Sequence, residues 1–279
     1  MMYPAPAKLN LFLHVVGRRA DGYHLLQTVF RFLDFGDSLQ IEPRPDGEIK
    51  LLKPLAGVPD NLDLCWRAAS LLQQHTGCRL GADIGLIKRL PMGGGLGGGS
   101  SDAATVLLAL NRLWGVNLPR AELQALGLAL GADVPVFVFG HTAFAEGVGE
   151  VLTELTPAPA SYVVLTPPVH VATAAIFTHP GLTRNTPSIR IADLFDGFGR
   201  NDLQPLACAL YPEVAEYLAW LNAQVGVDGN ARMTGSGACV YAAFPGRDDA
   251  EKVFAKRPGR MSGFVADGLD QHPLLGFAD

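Results

Sequence analysis

Pro91-Met92-Gly93-Gly94-Gly95-Leu96-Gly97-Gly98-Gly99-Ser100-Ser101 carries six glycines in eleven residues and closes on two hydroxyls. The segment before it, Ala82 to Lys88, reads as a strand. After it, Ala103, Val106, Leu107, Leu110, Leu113 and Trp114 repeat at the spacing of one helix face. Strand, glycine run and helix start together form an anion site. Glycine lets backbone N–H groups approach and turn toward a phosphate, and the helix start adds unpaired N–H groups and partial positive charge. The competing reading is a flexible surface loop capped by Ser100 or Ser101. The frame of Leu90-Pro91 on one side and an amphipathic helix on the other speaks against it.

Two familiar phosphate loops fail letter by letter. A Walker A loop needs a lysine where Ser100 stands. The dinucleotide fingerprint is formally present at Gly93, Gly95 and Gly98, but any dense glycine run contains it. The second strand and acidic residue expected about 20 residues on are replaced by Asn117 to Leu126, which reads as the start of another helix. A third class of phosphate loop is needed.

The remaining chain sets bounds. Its 279 residues suit one large domain or two modest ones. A net charge of −5 and no Lys/Arg run longer than two argue against broad nucleic-acid or membrane binding. Met1 to Lys8 lacks the apolar core of a signal peptide. The most apolar long window, Leu123 to Ala145, is interrupted by Gly131, Asp133, Pro135 and Gly140. Cys65, Cys78, Cys208 and Cys239 have no regular spacing and read as reduced thiols of a cytoplasmic protein. The seven histidines have no metal-type spacing.

Strands are expected at Leu9–Val16, Asp37–Pro43, Glu48–Lys53, Phe144–Leu155 with a turn near Gly147-Val148-Gly149, Tyr162–Thr166 and Gly263–Leu269. Leu25–Phe35 could be strand or short helix. Helices are expected from an Asn61 cap to Gly77, from Pro119 to Gly131, over Asp202–Gln224 with a break at Pro212, and over Asp248–Lys256. Without regular alternation of strand and helix the fold class is α+β. Pro157-Ala158-Pro159 marks the expected boundary between domains 1–157 and 158–279.

Read with its flanks, the chain resembles the GHMP kinases, small-molecule kinases that include homoserine and mevalonate kinases. Pro91–Ser101, Pro6-Ala7-Lys8-Leu9-Asn10 and Thr234-Gly235-Ser236-Gly237 carry this. Ala5–Leu11, Asp21-Gly22-Tyr23-His24, Leu90–Ser101, Gly131-Ala132-Asp133-Val134-Pro135 and Asn201-Asp202-Leu203 are similar to the branch that phosphorylates 4-diphosphocytidyl-2-C-methyl-D-erythritol. The resemblance implies a two-domain fold with both substrates in the cleft. It also implies transfer of phosphate from ATP to the 2-hydroxyl of that acceptor, in non-mevalonate isoprenoid precursor biosynthesis. Alternatives are a GHMP kinase for a sugar or amino-acid alcohol, and a non-catalytic nucleotide-binding regulator. Asp21–His24 suits a nucleobase and serves no plain sugar; a regulator would be expected to lose Lys8 or Asp133.

On residues alone, Asp133 reads as a cap for a helix beginning at Val134-Pro135, and Lys8 as a surface lysine. The resemblance makes them the catalytic pair, with Lys8 stabilising negative charge on the reacting hydroxyl. It gives ATP binding to residues 91–101, with Asn61 and Lys88 as weaker candidates for which a cap or surface role is as natural. It gives acceptor binding to Asn10, Tyr23, His24, Thr173 and Phe177: Tyr23 and Phe177 to stack on the cytosine, His24 to read its edge. Mg²⁺ is expected with ATP; Ser100, Ser101 and Asp102 could contact it or its waters, but no dedicated metal cage is visible. Asp102 stands where some relatives carry Asn, and Ala238 where Ser is frequent. The expected partners are small molecules, and the expected state a monomer or weak homodimer.

Overall fold

The computed structural model describes residues 1–192, 199–225 and 231–278. Strands β1 (Met2–Arg18) and β2 (His24–Arg44) form a long antiparallel hairpin, turned at Asp21-Gly22. The stretch from Leu25 to Phe35 is therefore strand. Its apolar residues serve both faces of a covered sheet, which removes the alternation that would have distinguished strand from helix. Then follow β3 (Ile49–Leu51), α1 (Leu64–Thr76), β4 (Gly81–Ile87), α2 (Gly98–Leu113), α3 (Arg120–Leu130), α4 (Val134–Phe139), β5 (Ala143–Glu146) and β6 (Val151–Glu154). Beyond the Pro157–Pro159 stretch lie β7 (Ser161–Leu165), α5 (Thr173–Thr178), α6 (Gln204–Leu210), α7 (Pro212–Val225), β8 (Arg232–Met233), β9 (Val240–Phe244), α8 (Arg247–Ala255) and β10 (Gly263–Leu269). The α+β class holds.

Among the described residues the strands join one sheet in the order β3-β4-β2-β10-β7-β9-β8; β1 and β5 also pair with β2, and β6 with β5. β2 is the spine. Phe32 faces Lys8 of β1 in one register and Leu269 of β10 in another. One large hydrophobic cluster draws on residues 3–145 plus Leu274 and Ala278 of the C-terminal segment. A second draws on residues 163–261 plus Leu13 and Val15. The C-terminal segment is held by Arg120, whose guanidinium donates to the carbonyls of Val138, Leu275 and Ala278. No helix among the described residues is long and apolar enough to cross a membrane.

Two shifted helix starts bear on the site. Helix α1 is capped by Asp63, whose Oδ1 accepts from the Cys65 N–H at 2.7 Å and the Trp66 N–H at 3.4 Å. Asn61 is spent in a preceding 3₁₀ turn, Asp60–Leu62. Helix α2 starts at Gly98, with Gly97 in the cap position, so Ser100 and Ser101 lie inside the first turn rather than at its cap.

Candidate active site

Alternation along β1 builds the floor of the site. Ala7 and Leu9 point into an apolar cluster with Leu33, Leu90 and Leu96, so Lys8 and Asn10 share the opposite face. The Lys8 side chain is only 3 % exposed, which corrects its reading as a surface lysine. Its ammonium donates to Asn10 Oδ1 at 2.6 Å, lies 3.2 Å from Asp133 Oδ2 and sits over the Phe30 ring at 5.3 Å. Two of its three N–H bonds are thereby directed, and one is left for a ligand oxygen. Asn10 is fixed in turn: its Nδ2 donates to Thr28 Oγ1 at 2.9 Å and its backbone N–H to Thr234 Oγ1 at 3.0 Å.

Asp133 occupies the cap position of α4, but its side chain makes no capping hydrogen bond. It turns to Lys8 and remains 37 % exposed toward a cavity of about 330 Å³. Buried Val134 and Pro135 hold it from behind.

The glycine loop lies against β1 and the late glycine block. The Lys8 N–H donates to Leu96 O at 2.9 Å, the Cys239 N–H to Gly94 O at 3.1 Å, and the Thr234 hydroxyl to Gly95 O at 3.2 Å. A Cβ on Gly95 would stand 2.2 Å from Thr234 O, and one on Gly97 3.0 Å from both Lys8 and Phe137. Both have positive φ, +76° and +71°. These glycines are set by close approach as well as conformation.

The loop divides two cavities. The first, about 410 Å³, is lined by residues 91–100, Lys88, and an apolar wall that includes Leu55, Val58, Leu62 and Leu86. The 330 Å³ cavity holds Lys8, Asn10, Thr28, Asp133, Phe177 and Ser236. Gly93, Gly95, Ser100 and Thr173 line both. The Thr173 and Ser236 hydroxyls lie 2.8 Å apart.

Of the other candidates on the ATP and metal side, Lys88 and Asp102 line the first cavity, and Ser101 and Asn61 do not. Ser101 is fully buried, its Oγ has no partner, and it is absent from both linings. Asn61 is exposed in its 3₁₀ turn, whose Leu62 reaches the first cavity. Lys88 lines that cavity, but its ammonium is taken by Asp37 Oδ2 at 2.5 Å and Asp102 Oδ2 at 2.8 Å. Burial works against its charge, but the two carboxylates outweigh burial and raise its pKa. Burial pushes Asp102 up to about 7; Lys88 opposes the rise and Asp37 adds to it. Asp102 is thus a partner of Lys88, with a buried, unpartnered Oδ1.

His24 and Phe177 do come together, with ring centroids 5.0 Å apart. Tyr23 stands 64 % exposed at the hairpin tip, with no ring partner among the described residues. Thr28, Ser236 and Asp37 escaped the reading of the sequence. Ser236 was visible only as part of a glycine block, and Thr28 and Asp37 lie within an apolar strand with no local mark.

Comparison with known proteins covers both halves of the chain. Residues 63–141 match the GHMP kinases N terminal domain, and residues 187–262 the GHMP kinases C terminal. The 4-diphosphocytidyl-2-C-methyl-D-erythritol kinase of Dechloromonas aromatica (strain RCB) is 62 % identical over 273 residues, spanning 98 % of each chain. Its counterpart in Thiobacillus denitrificans (strain ATCC 25259 / T1) is 62 % identical over 275 residues, 99 % of this chain and 98 % of that one. A crystal structure of a 4-(cytidine 5'-diphospho)-2C-methyl-D-erythritol kinase superposes with a TM-score of 0.82 at 35 % identity, covering 96 % of this chain and 99 % of the other.

Proposed function

The chain belongs to the 4-diphosphocytidyl-2-C-methyl-D-erythritol kinase family of the GHMP kinases, and from that premise we propose how its residues carry phosphate from ATP to that acceptor. The enzyme is a small-molecule kinase using ATP, and the product belongs to non-mevalonate isoprenoid precursor synthesis. The acceptor is the cytidine diphosphate polyol rather than a plain sugar or amino-acid alcohol, and the reacting oxygen is its 2-hydroxyl.

One observation carries this reading: the Lys8–Asp133 pair faces the cavity that shares Gly93, Gly95 and Ser100 with the nucleotide cleft. The apolar wall of the first cavity takes the adenine, and residues 91–100 cradle the triphosphate through backbone N–H groups and the α2 start. In the second cavity Asp133 accepts the hydrogen bond of the acceptor hydroxyl and orients its oxygen. The free N–H of Lys8 meets the oxygen as negative charge grows on it. A loose phosphoryl-transfer transition state asks mainly for such positioning and charge.

Magnesium would enter on the triphosphate. Among the described residues no three His, Cys, Asp or Glu side chains gather into a cage, a donor set suited to an ion that keeps its phosphates and waters. Ser100 and Asp133 are the protein oxygens that would complete its shell, and the ion would neutralise charge on the transferring group.

The two hydrophobic clusters support a division into lobes at 157/158, with β1 and the C-terminal segment crossing over. The acidic charge and unpaired cysteines support a cytoplasmic protein that binds neither nucleic acid nor membranes, and the state proposed for it is a monomer or weak homodimer. The test is a coupled assay with ATP and 4-diphosphocytidyl-2-C-methyl-D-erythritol, with ³¹P NMR of the product. Phosphorylation of the 2-hydroxyl is expected; no turnover, or a phosphate on another hydroxyl, would overturn the reading.

A further inference from the structure

Arg184 links Phe177, which lines the acceptor cavity, to His24 behind it with one guanidinium. Its Nε–H donates to His24 Nε2 at 3.0 Å. Its Nη2 donates to the carbonyls of Phe177 and His179, both at 2.8 Å, and its Nη1 to Leu182 O at 3.1 Å. The Phe177 ring that lines the acceptor cavity packs on the His24 ring.

The bond to His24 has a chemical consequence beyond packing. Arginine has no lone pair to offer and does not lose its proton in proteins. The His24 nitrogen facing it must therefore be the bare, accepting one, which puts the single proton of the neutral ring on Nδ1. No described residue takes Nδ1. Burial, Arg184 and Arg18 all lower the pKa of His24, so the neutral ring is the relevant form.

We propose that Arg184 is a specificity-determining positioning residue that locks His24 as an Nδ1–H donor and so makes the site select cytosine over uracil. The inference rests on the acceptor reading above. Cytosine presents an acceptor at N3, which an Nδ1–H can satisfy. Uracil presents N3–H there, and two donors face each other. A free imidazole can move its proton to Nε2, turn Nδ1 into an acceptor and admit uracil. The arginine removes that option.

Long-range ¹H–¹⁵N spectra of histidine-labelled, ligand-free protein near neutral pH report the tautomer directly, with His24→Asn identifying the signal. Wild type is expected to show a protonated Nδ1 and a bare Nε2. Arg184→Gln, which can donate or accept, should mix the tautomers. It should also reduce the cytidine-to-uridine ratio of kcat/KM at least about tenfold, with little change in KM for ATP. Arg184→Lys keeps a donor toward Nε2 but loses the fork to the carbonyls; it should restore the tautomer and most of the ratio, separating proton control from loop bracing. A protonated Nε2 in wild type overturns the proposal. So does an unchanged ratio in Arg184→Gln once the tautomer has shifted. A wild-type protein with Nδ1–H that fails to phosphorylate the cytidine substrate would instead sink the acceptor reading.

Discussion

In the proposed mechanism Lys8 and Asp133 divide the work of the site by their exposure. A nearly buried ammonium is fixed by Asn10, while a half-exposed carboxylate faces the acceptor cavity. Asp133→Ala and Lys8→Ala are each expected to lower kcat at least about 100-fold, the scale of a positioned proton-handling group, with near-wild-type circular dichroism. A folded Asp133→Ala enzyme with near-full turnover would return Asp133 to the role of a helix cap. A second prediction concerns Asp102. Its pKa lies near 7 in the folded chain against an ordinary 3.8, so between those values the folded state holds a proton that the unfolded state has lost. The resulting stabilisation is complete below the lower value and is lost as pH rises through about 7. Asp102→Asn has no such proton to lose. Its melting temperature relative to wild type should climb between pH 4 and pH 8, by about 2 °C or more, as thermal melts across that range would reveal. A flat difference would mean that Asp102 is already ionised in the folded protein at low pH. At this scale the sequence was half legible. Residue types and motif order singled out Lys8 and Asp133, but the burial of Lys8 and the turning of Asp133 away from its helix depend on packing between distant segments.

The glycine loop was legible as an element because its meaning is local: a strand, a run without side chains, and a helix start. The structure adds a distinction within it. A Cβ on Gly97 meets the Lys8 stem and the Phe137 ring, and the residue has a left-handed φ; one on Gly98 meets the Lys88 ammonium at 3.0 Å and Leu90 at 3.3 Å, but Gly98 has no left-handed φ to preserve. Gly97→Val should therefore weaken binding of a non-hydrolysable ATP analogue about 100-fold or more, and Gly98→Val markedly less. Calorimetric titration separates them; equal affinities in both variants and wild type would remove the loop from the nucleotide site. The α1 boundary shows where local reading stops. Asn61 and Asp63 are both good caps, and the choice fell to the one whose carboxylate reaches the Cys65 and Trp66 N–H groups. The six-residue α5, which carries Thr173 and Phe177, is too short to show a face.

Across the whole molecule the pairing order could not be read, because β2 joins β1, β4, β5 and β10 through backbone bonds that leave no trace in side-chain order. The closing C-terminal segment is another such long-range fact. Leu274 and Ala278 enter the large cluster, pinned through Arg120. Arg120→Ala takes this donor from the Val138, Leu275 and Ala278 carbonyls and should reduce unfolding stability by about 1–3 kcal/mol. Urea titration would detect this, and limited proteolysis should then clip residues 270–278 first. A variant as stable and as resistant as wild type would mean the segment is held by its apolar contacts alone.

The sulfur behind the phosphate loop gives the chain a built-in clock. Cys239 is fully buried, burial pushes its thiol up to about 12, and its Sγ would lie 2.8 Å from a Cβ on Gly94. Only a thiolate is alkylated at speed, so Cys239 stays silent to iodoacetamide while the loop is seated. It becomes reactive in molecules whose loop has lifted or whose surrounding cluster has opened. The labelling rate of the peptide holding Cys239, followed by mass spectrometry, therefore reports those openings without any engineered probe, and a bound nucleotide that clamps the loop will slow the part that comes from the loop.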